Sequence, residues 1–187
     1  MKVLLACSDF FLYGSALLKA FLDLGVQVET YIFTDEARKK LIGKSHYKLC
    51  MIYNQLIGRN ERLIKHLDSV RKHESEKFYR EYCKFQPDLM VAFPGYTLNA
   101  TILKEIQCSQ VLWVYDSLEN IPFMKDVLKY YDIIYTFERT DVESYRKLGI
   151  DAKFLPLCAD ASIYFPTSNE KKDIDVSFVW NLSKDRR

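Results

Sequence analysis

The feature that most constrains this chain is a rhythm of short, uninterrupted apolar runs separated by segments with helical spacing. Residues 3–6 are apolar throughout after a single charge, the pattern of a strand buried on both faces of a parallel sheet. From Gly14 or Ser15 onward, Ala16, Leu17, Ala20, Phe21 and Leu24 share one helical face, and Gly25 stands where that helix ends. Residues 27–33 alternate and are β-rich, so strand, helix and strand form a unit short enough for a right-handed crossover. The rhythm resumes beyond Phe85. Strands are predicted at 88–93, 110–115, 132–137 and 152–157. Helices are predicted at 98–106 with Asn99 or Thr97 near the cap, from Pro122 to about Tyr130, and at 140–148 before Gly149. This alternation predicts an α/β domain, a Rossmann-like parallel sheet flanked by helices.

Between the second and third strands, residues 35–85 contain no convincing strand. Leu63, Leu67, Val70, Phe78 and Tyr82 recur at helical intervals with Arg and Lys between them, which predicts one or two long amphipathic helices ended by Pro87. Charge is concentrated there. Residues 1–36 carry a net −3, residues 37–84 a net +8 and residues 85–187 a net −3. The basic segment reads either as a solvated helix face or as a surface for anionic lipid or an anionic acceptor, since Arg62, Lys65, Arg71, Lys72 and Arg80 accompany several tyrosines. Nucleic acid is disfavoured as a partner, because the whole chain is nearly neutral and no recognition motif occurs.

Cys7, Cys50, Cys83, Cys108 and Cys158 are odd in number and include no CxxC pair. They read as reduced thiols packed as small hydrophobes, which suits a cytoplasmic protein. The apolar start is too short for a signal peptide and is interrupted by Ser8-Asp9, and no run approaches 18 apolar residues. His46, His66 and His73 lack convergent Cys or Asp spacing, so no metal is expected. Gly14 stands alone, without a dinucleotide fingerprint or a phosphate-cradling loop, and no bound cofactor is expected.

After Leu157 the character changes. Residues 160–173 hold two turn-like clusters, and 174–180 read as a further strand. The predicted organisation is a domain at 1–158, a linker at 159–173, and at 174–187 the first strand of a second, absent domain.

Several ordered pieces carry a resemblance. They are Trp113-Val114-Tyr115-Asp116-Ser117, then Tyr131-Asp132-Ile133-Ile134-Tyr135-Thr136-Phe137-Glu138, then Asp141-Val142-Glu143. Gly149, Phe154-Leu155-Pro156-Leu157, Asp160 and Asp175-Val176-Ser177-Phe178-Val179 follow, and Asp9 through Leu17 match at the start. The series resembles the CgeB-like, spore-maturation group of glycosyltransferases and, more broadly, two-domain GT-B enzymes. In that group the last strand usually runs into a glycine, where Trp180 stands here. The resemblance implies an amino-terminal, acceptor-side domain of a glycosyltransferase. Such a domain works with a nucleotide-sugar donor and a sugar or glycan acceptor. The donor-binding half would come from elsewhere, including a second polypeptide, and this chain alone would be inactive. Peripheral contact with an anionic inner-membrane face through residues 37–84 fits the same picture. The alternative is a non-catalytic α/β binding or partner module.

Ligands of open parallel sheets bind beyond the carboxyl ends of the strands. By that rule Asp9, Asp116 and Glu138 are candidate general bases for an acceptor hydroxyl. Phe10, Tyr13, Gly14, Ser15, Gly95, Tyr96, Ser117 and Arg139 are candidate substrate contacts. Structural readings stand beside these: Asp9 as a helix cap, Asp116-Ser117 as a side-chain turn, Glu138-Arg139 as a solvated pair, and Tyr96 as turn packing.

Overall fold

The computed structural model describes residues 1–8, 12–33, 61–95, 98–119, 124–165 and 176. Six strands, β1 (Lys2–Ser8), β2 (Gln27–Phe33), β3 (Leu89–Phe93), β4 (Ser109–Val114), β5 (Ile133–Thr136) and β6 (Ala152–Phe154), form one sheet in the order β2-β1-β3-β4-β5-β6. Every pairing is parallel. Among the described residues the helices are α1 (Tyr13–Asp23), α2 (Glu61–Phe85), α3 (Ala100–Glu105), α4 (Lys125–Leu128) and α5 (Asp141–Lys147). The Rossmann-like α/β fold expected from the alternation is the fold observed.

Handedness distributes the helices. The step from β1 to β2 runs one way along the sheet, and every later step runs the other way. Right-handed crossovers therefore place α1 on one face and α2 to α5 on the opposite face. The two cores follow. Leu17, Leu18 and Phe21 of α1 pack with Val3, Leu5, Cys7, Val91 and Phe93. Phe78, Phe85, Leu103, Val127, Leu128 and Tyr145 pack with Leu4, Ala6, Met90, Ala92, Leu112 and Ile134 on the other side. Strand residues alternate between these cores because successive side chains point to opposite faces.

Local chemistry explains the element ends. Gly25 and Gly149 take φ of 72° and 76°, which lets α1 and α5 finish in the left-handed region. Asn99 caps α3: its Oδ1 accepts the Ile102 N–H at 3.0 Å, and its own N–H donates to Ser75 Oγ at 2.9 Å. The strand expected at 152–157 is shorter than expected. Leu155 N–H still bonds Thr136 O at 2.9 Å, and the pairing ends there, just before Pro156. Of the helix expected from Pro122 to about Tyr130, α4 is the part found among the described residues, and Pro122 lies outside them. Of the long basic segment, α2 is described and 34–60 lie outside.

The chain divides into two compact units, Met1–Leu157 and Cys158–Arg187. In the second, Asp160 organises a turn: Oδ1 accepts the Ser162 N–H at 2.8 Å and the Ser162 hydroxyl at 2.6 Å. Of the strand expected at 174–180 only Val176 is described, exposed and outside any strand.

Candidate functional site

The strand order reverses direction at β1, which has β2 on one side and β3 on the other. Crevices at such switch points, beyond the carboxyl ends of the strands, are where open α/β sheets take ligands. Beside the switch point a cluster of rings packs on the α1 face of the sheet. Tyr13, the first residue of α1, meets Phe93 edge-on at 5.6 Å between centroids and Tyr115 at 5.8 Å. Phe93 in turn lies 5.1 Å from Tyr115 and 4.8 Å from Trp113. Trp113 Nε1 donates to Leu155 O at 3.1 Å, which holds the indole across the sheet face. Period-two spacing accounts for the cluster: Trp113 and Tyr115 are two residues apart on one strand path, and Phe93 stands on the neighbouring strand.

Gly14 makes this approach possible. A Cβ there would lie 2.8 Å from Cys7 Sγ, so a larger residue would push α1 off β1 and carry Tyr13 with it. Gly14 is buried and acts by packing. Ser15 is exposed in the first turn of α1. Gly95 is also a packing residue. Its Cβ would lie 2.6 Å from Leu112 Cδ1 and 3.1 Å from the Tyr131 hydroxyl. That buried phenol is raised by desolvation, while the Arg71 guanidinium within electrostatic reach works the other way.

Polar groups adjoin the same cluster. The buried Ser8 hydroxyl lies beside the Tyr115 hydroxyl. Burial raises the Tyr115 phenol, the Ser8 hydroxyl opposes that rise, and the Asp116 carboxylate and Tyr13 add to it. Tyr115 therefore stays a protonated hydroxyl through neutral pH, flanked by a second tyrosine, a serine and a carboxylate. Aromatic faces beside hydroxyl and carboxylate groups suit a flat-sided polar ring.

The candidates predicted from sequence separate into groups. Tyr13 packs against Tyr115, and Asp116 follows Tyr115 in the chain, half-buried. Asp9, Phe10 and Tyr96 lie outside the described residues. Ser117 is engaged elsewhere: its hydroxyl donates to Asp141 Oδ1 at 3.0 Å, and the Leu118 N–H donates to Asp141 Oδ2 at 3.1 Å. Asp141, in the first turn of α5 and only 5% exposed, thus holds the loop that carries Asp116. Glu138 is exposed at the end of β5. Arg139 lies 4.6 Å over the Phe154 ring, so its guanidinium is used at the β6 edge of the sheet. Sequence reasoning passed over Trp113, Tyr115 and Phe93 as strand residues; their shared parity was the available signal. It also passed over Asp141, whose signal was an acidic residue opening a helix.

The cysteine expectation needs one correction. Cys7 is buried and Cys108 half-buried, but Cys83 and Cys158 are exposed and do not pack as small hydrophobes. In the basic segment, Lys77 pairs with Glu74 at 3.1 Å and Lys84 with Glu81 at 2.8 Å. Among the described residues no group of three or more His, Cys, Asp or Glu side chains could hold a metal ion, and no helix is long and apolar enough to cross a membrane. Comparison of the chain with protein-family models, with curated proteins and with solved structures finds no match.

Proposed function

We propose that this chain is the acceptor-side α/β domain of a GT-B-type glycosyltransferase, with the sugar acceptor seated at the β1/β3 switch point. One observation carries the reading. The half-buried rings of Tyr13, Trp113 and Tyr115 gather around the buried Phe93, with Ser8 beside Tyr115 and Asp116 next along the chain, at the carboxyl ends of the strands where such folds take ligands. In this reading Asp116 accepts the proton of the acceptor hydroxyl as it attacks the donor sugar, work worth about 10²–10⁴-fold in rate. Tyr115 and Ser8 orient that hydroxyl. The leaving nucleotide diphosphate is held by a second α/β unit, either further along the chain or on another polypeptide. The net +8 charge of residues 37–84 supports an anionic acceptor or membrane surface as a partner.

A second reading, a non-catalytic α/β binding module, is favoured by a different observation. Ser117, Gly14, Gly95 and Arg139 all serve the fold itself. A glycan array probed with the purified chain separates the two, alongside a nucleotide-release assay with common nucleotide-sugars. The acceptor-domain reading expects glycan binding that Tyr115→Ala weakens at least tenfold, with no turnover of nucleotide-sugar by the chain alone. Absence of glycan binding by a folded protein would remove it and leave the binding module.

A further inference from the structure

The opposite edge of the sheet carries a second chemical feature, independent of the ring cluster. An open cavity of about 530 Å³ lies between the last turn of α2, the connection into β3 and the turn into β4. Two of the five cysteines of the chain, Cys83 and Cys108, line it together. We propose that Cys83 and Cys108 form a two-thiol redox site that closes to a disulfide when a hydroperoxide oxidises Cys83.

The geometry divides the labour. Cys83 is exposed on the final turn of α2, where an oxidant reaches it. Cys108 is half-buried, and desolvation raises its thiol, so in the reduced protein it is the poorer target. Two tyrosines one turn apart on α2 stand between the two segments: the Tyr79 ring stacks on Tyr82 at 5.7 Å, and the Tyr82 hydroxyl oxygen accepts the Gln107 N–H at 2.9 Å. The Tyr82–Gln107 bond thus joins the chain neighbours of the two cysteines and holds their segments side by side.

The chemistry balances in two steps. The Cys83 sulfur attacks the peroxide; the O–O bond breaks, sulfur is oxidised to a sulfenic acid, and water or an alcohol leaves. The Cys108 sulfur then attacks the sulfenic sulfur; the S–S bond forms, the S–O bond breaks, and the departing hydroxide takes the Cys108 proton as water. The product ties the end of α2 to the start of β4.

Treating the native chain with hydrogen peroxide, quenching, alkylating the remaining thiols and mapping non-reduced peptides tests this. The expected result is a Cys83–Cys108 linked peptide, loss of two of five thiols, an intact mass lower by two hydrogens, and reversal by dithiothreitol. Cys108→Ser should leave a Cys83 sulfenic acid that dimedone traps, and Cys83→Ser should form no link. Sulfinic or sulfonic acid on Cys83 without a link overturns the proposal. So does pairing with any other cysteine, or a disulfide between two copies. Where a serine variant does not fold, the peptide map of the unaltered chain decides alone. None of these outcomes bears on the glycosyltransferase reading.

Discussion

Asp141 offers the sharpest test of how the loop carrying Asp116 is held. Its carboxylate accepts two hydrogen bonds from the loop after β4, at 3.0 Å from the Ser117 hydroxyl and 3.1 Å from the Leu118 N–H. Leu118 is 4% exposed, so removing the acceptor leaves its N–H buried without a partner. A hydrogen bond to a charged group is worth about 1.5–3 kcal/mol, and an orphaned buried donor costs about 1–3 kcal/mol. Asp141→Ala should therefore cost about 3 kcal/mol. In a unit of this size that lowers Tm by roughly 6–12 °C, at about 2–4 °C per kcal/mol. Asp141→Asn keeps one carbonyl acceptor and should lose about half as much. Ser117→Ala deletes only the contact from a half-exposed hydroxyl and should cost about 1 kcal/mol or less. Thermal and urea denaturation followed by circular dichroism, on all three variants side by side, measures the order. The reasoning fails if Asp141→Ala stays within about 1 kcal/mol of the parent, or if Ser117→Ala costs as much.

Two further outcomes follow from packing and burial. Gly14→Ala would gain about 1 kcal/mol from helix propensity alone, but a Cβ 2.8 Å from Cys7 Sγ reverses the sign, for a net loss of about 1–2 kcal/mol. Combining it with Cys7→Ala removes the clash, so a double-mutant cycle should show a favourable coupling of at least about 1 kcal/mol; additive losses would dismiss the contact. Burial, with the Asp141 carboxylate adding to it, pushes the Tyr145 phenol from 10.0 up to about 12. Below pH 10 both states hold that proton. As pH rises from 10 through about 12 the unfolded chain releases it first, and stability falls. Tyr145→Phe should flatten part of that fall in a pH series of denaturation midpoints, and superimposable profiles would count against it.

The local code of this chain is readable without coordinates. Short apolar runs, helical spacing and punctuation by Gly25, Pro87 and Gly149 depend on neighbours within a few residues, so the alternation of strands and helices follows from sequence. The strand-end rule singles out Tyr13 and Asp116 on the same basis, because loop residues next to a strand terminus are local facts. Where a glycine, a serine or an arginine acts is not local. Gly14 and Gly95 read as substrate contacts until a virtual Cβ meets Cys7, Leu112 and Tyr131. Ser117 and Arg139 read the same way until Asp141 and Phe154 take them up.

By itself, then, the sequence determined an α/β chain of strands buried on both faces, with its positive charge gathered in one segment. Only the tertiary structure decided that β3 adds to the free side of β1. That step places the switch point between them and brings Tyr13, Phe93, Trp113 and Tyr115 into one cluster. The physical reason is range. Periodicity and turn chemistry act within a few residues, whereas strand order and ring contacts are settled by which distant surfaces bury each other under the right-handed crossover rule.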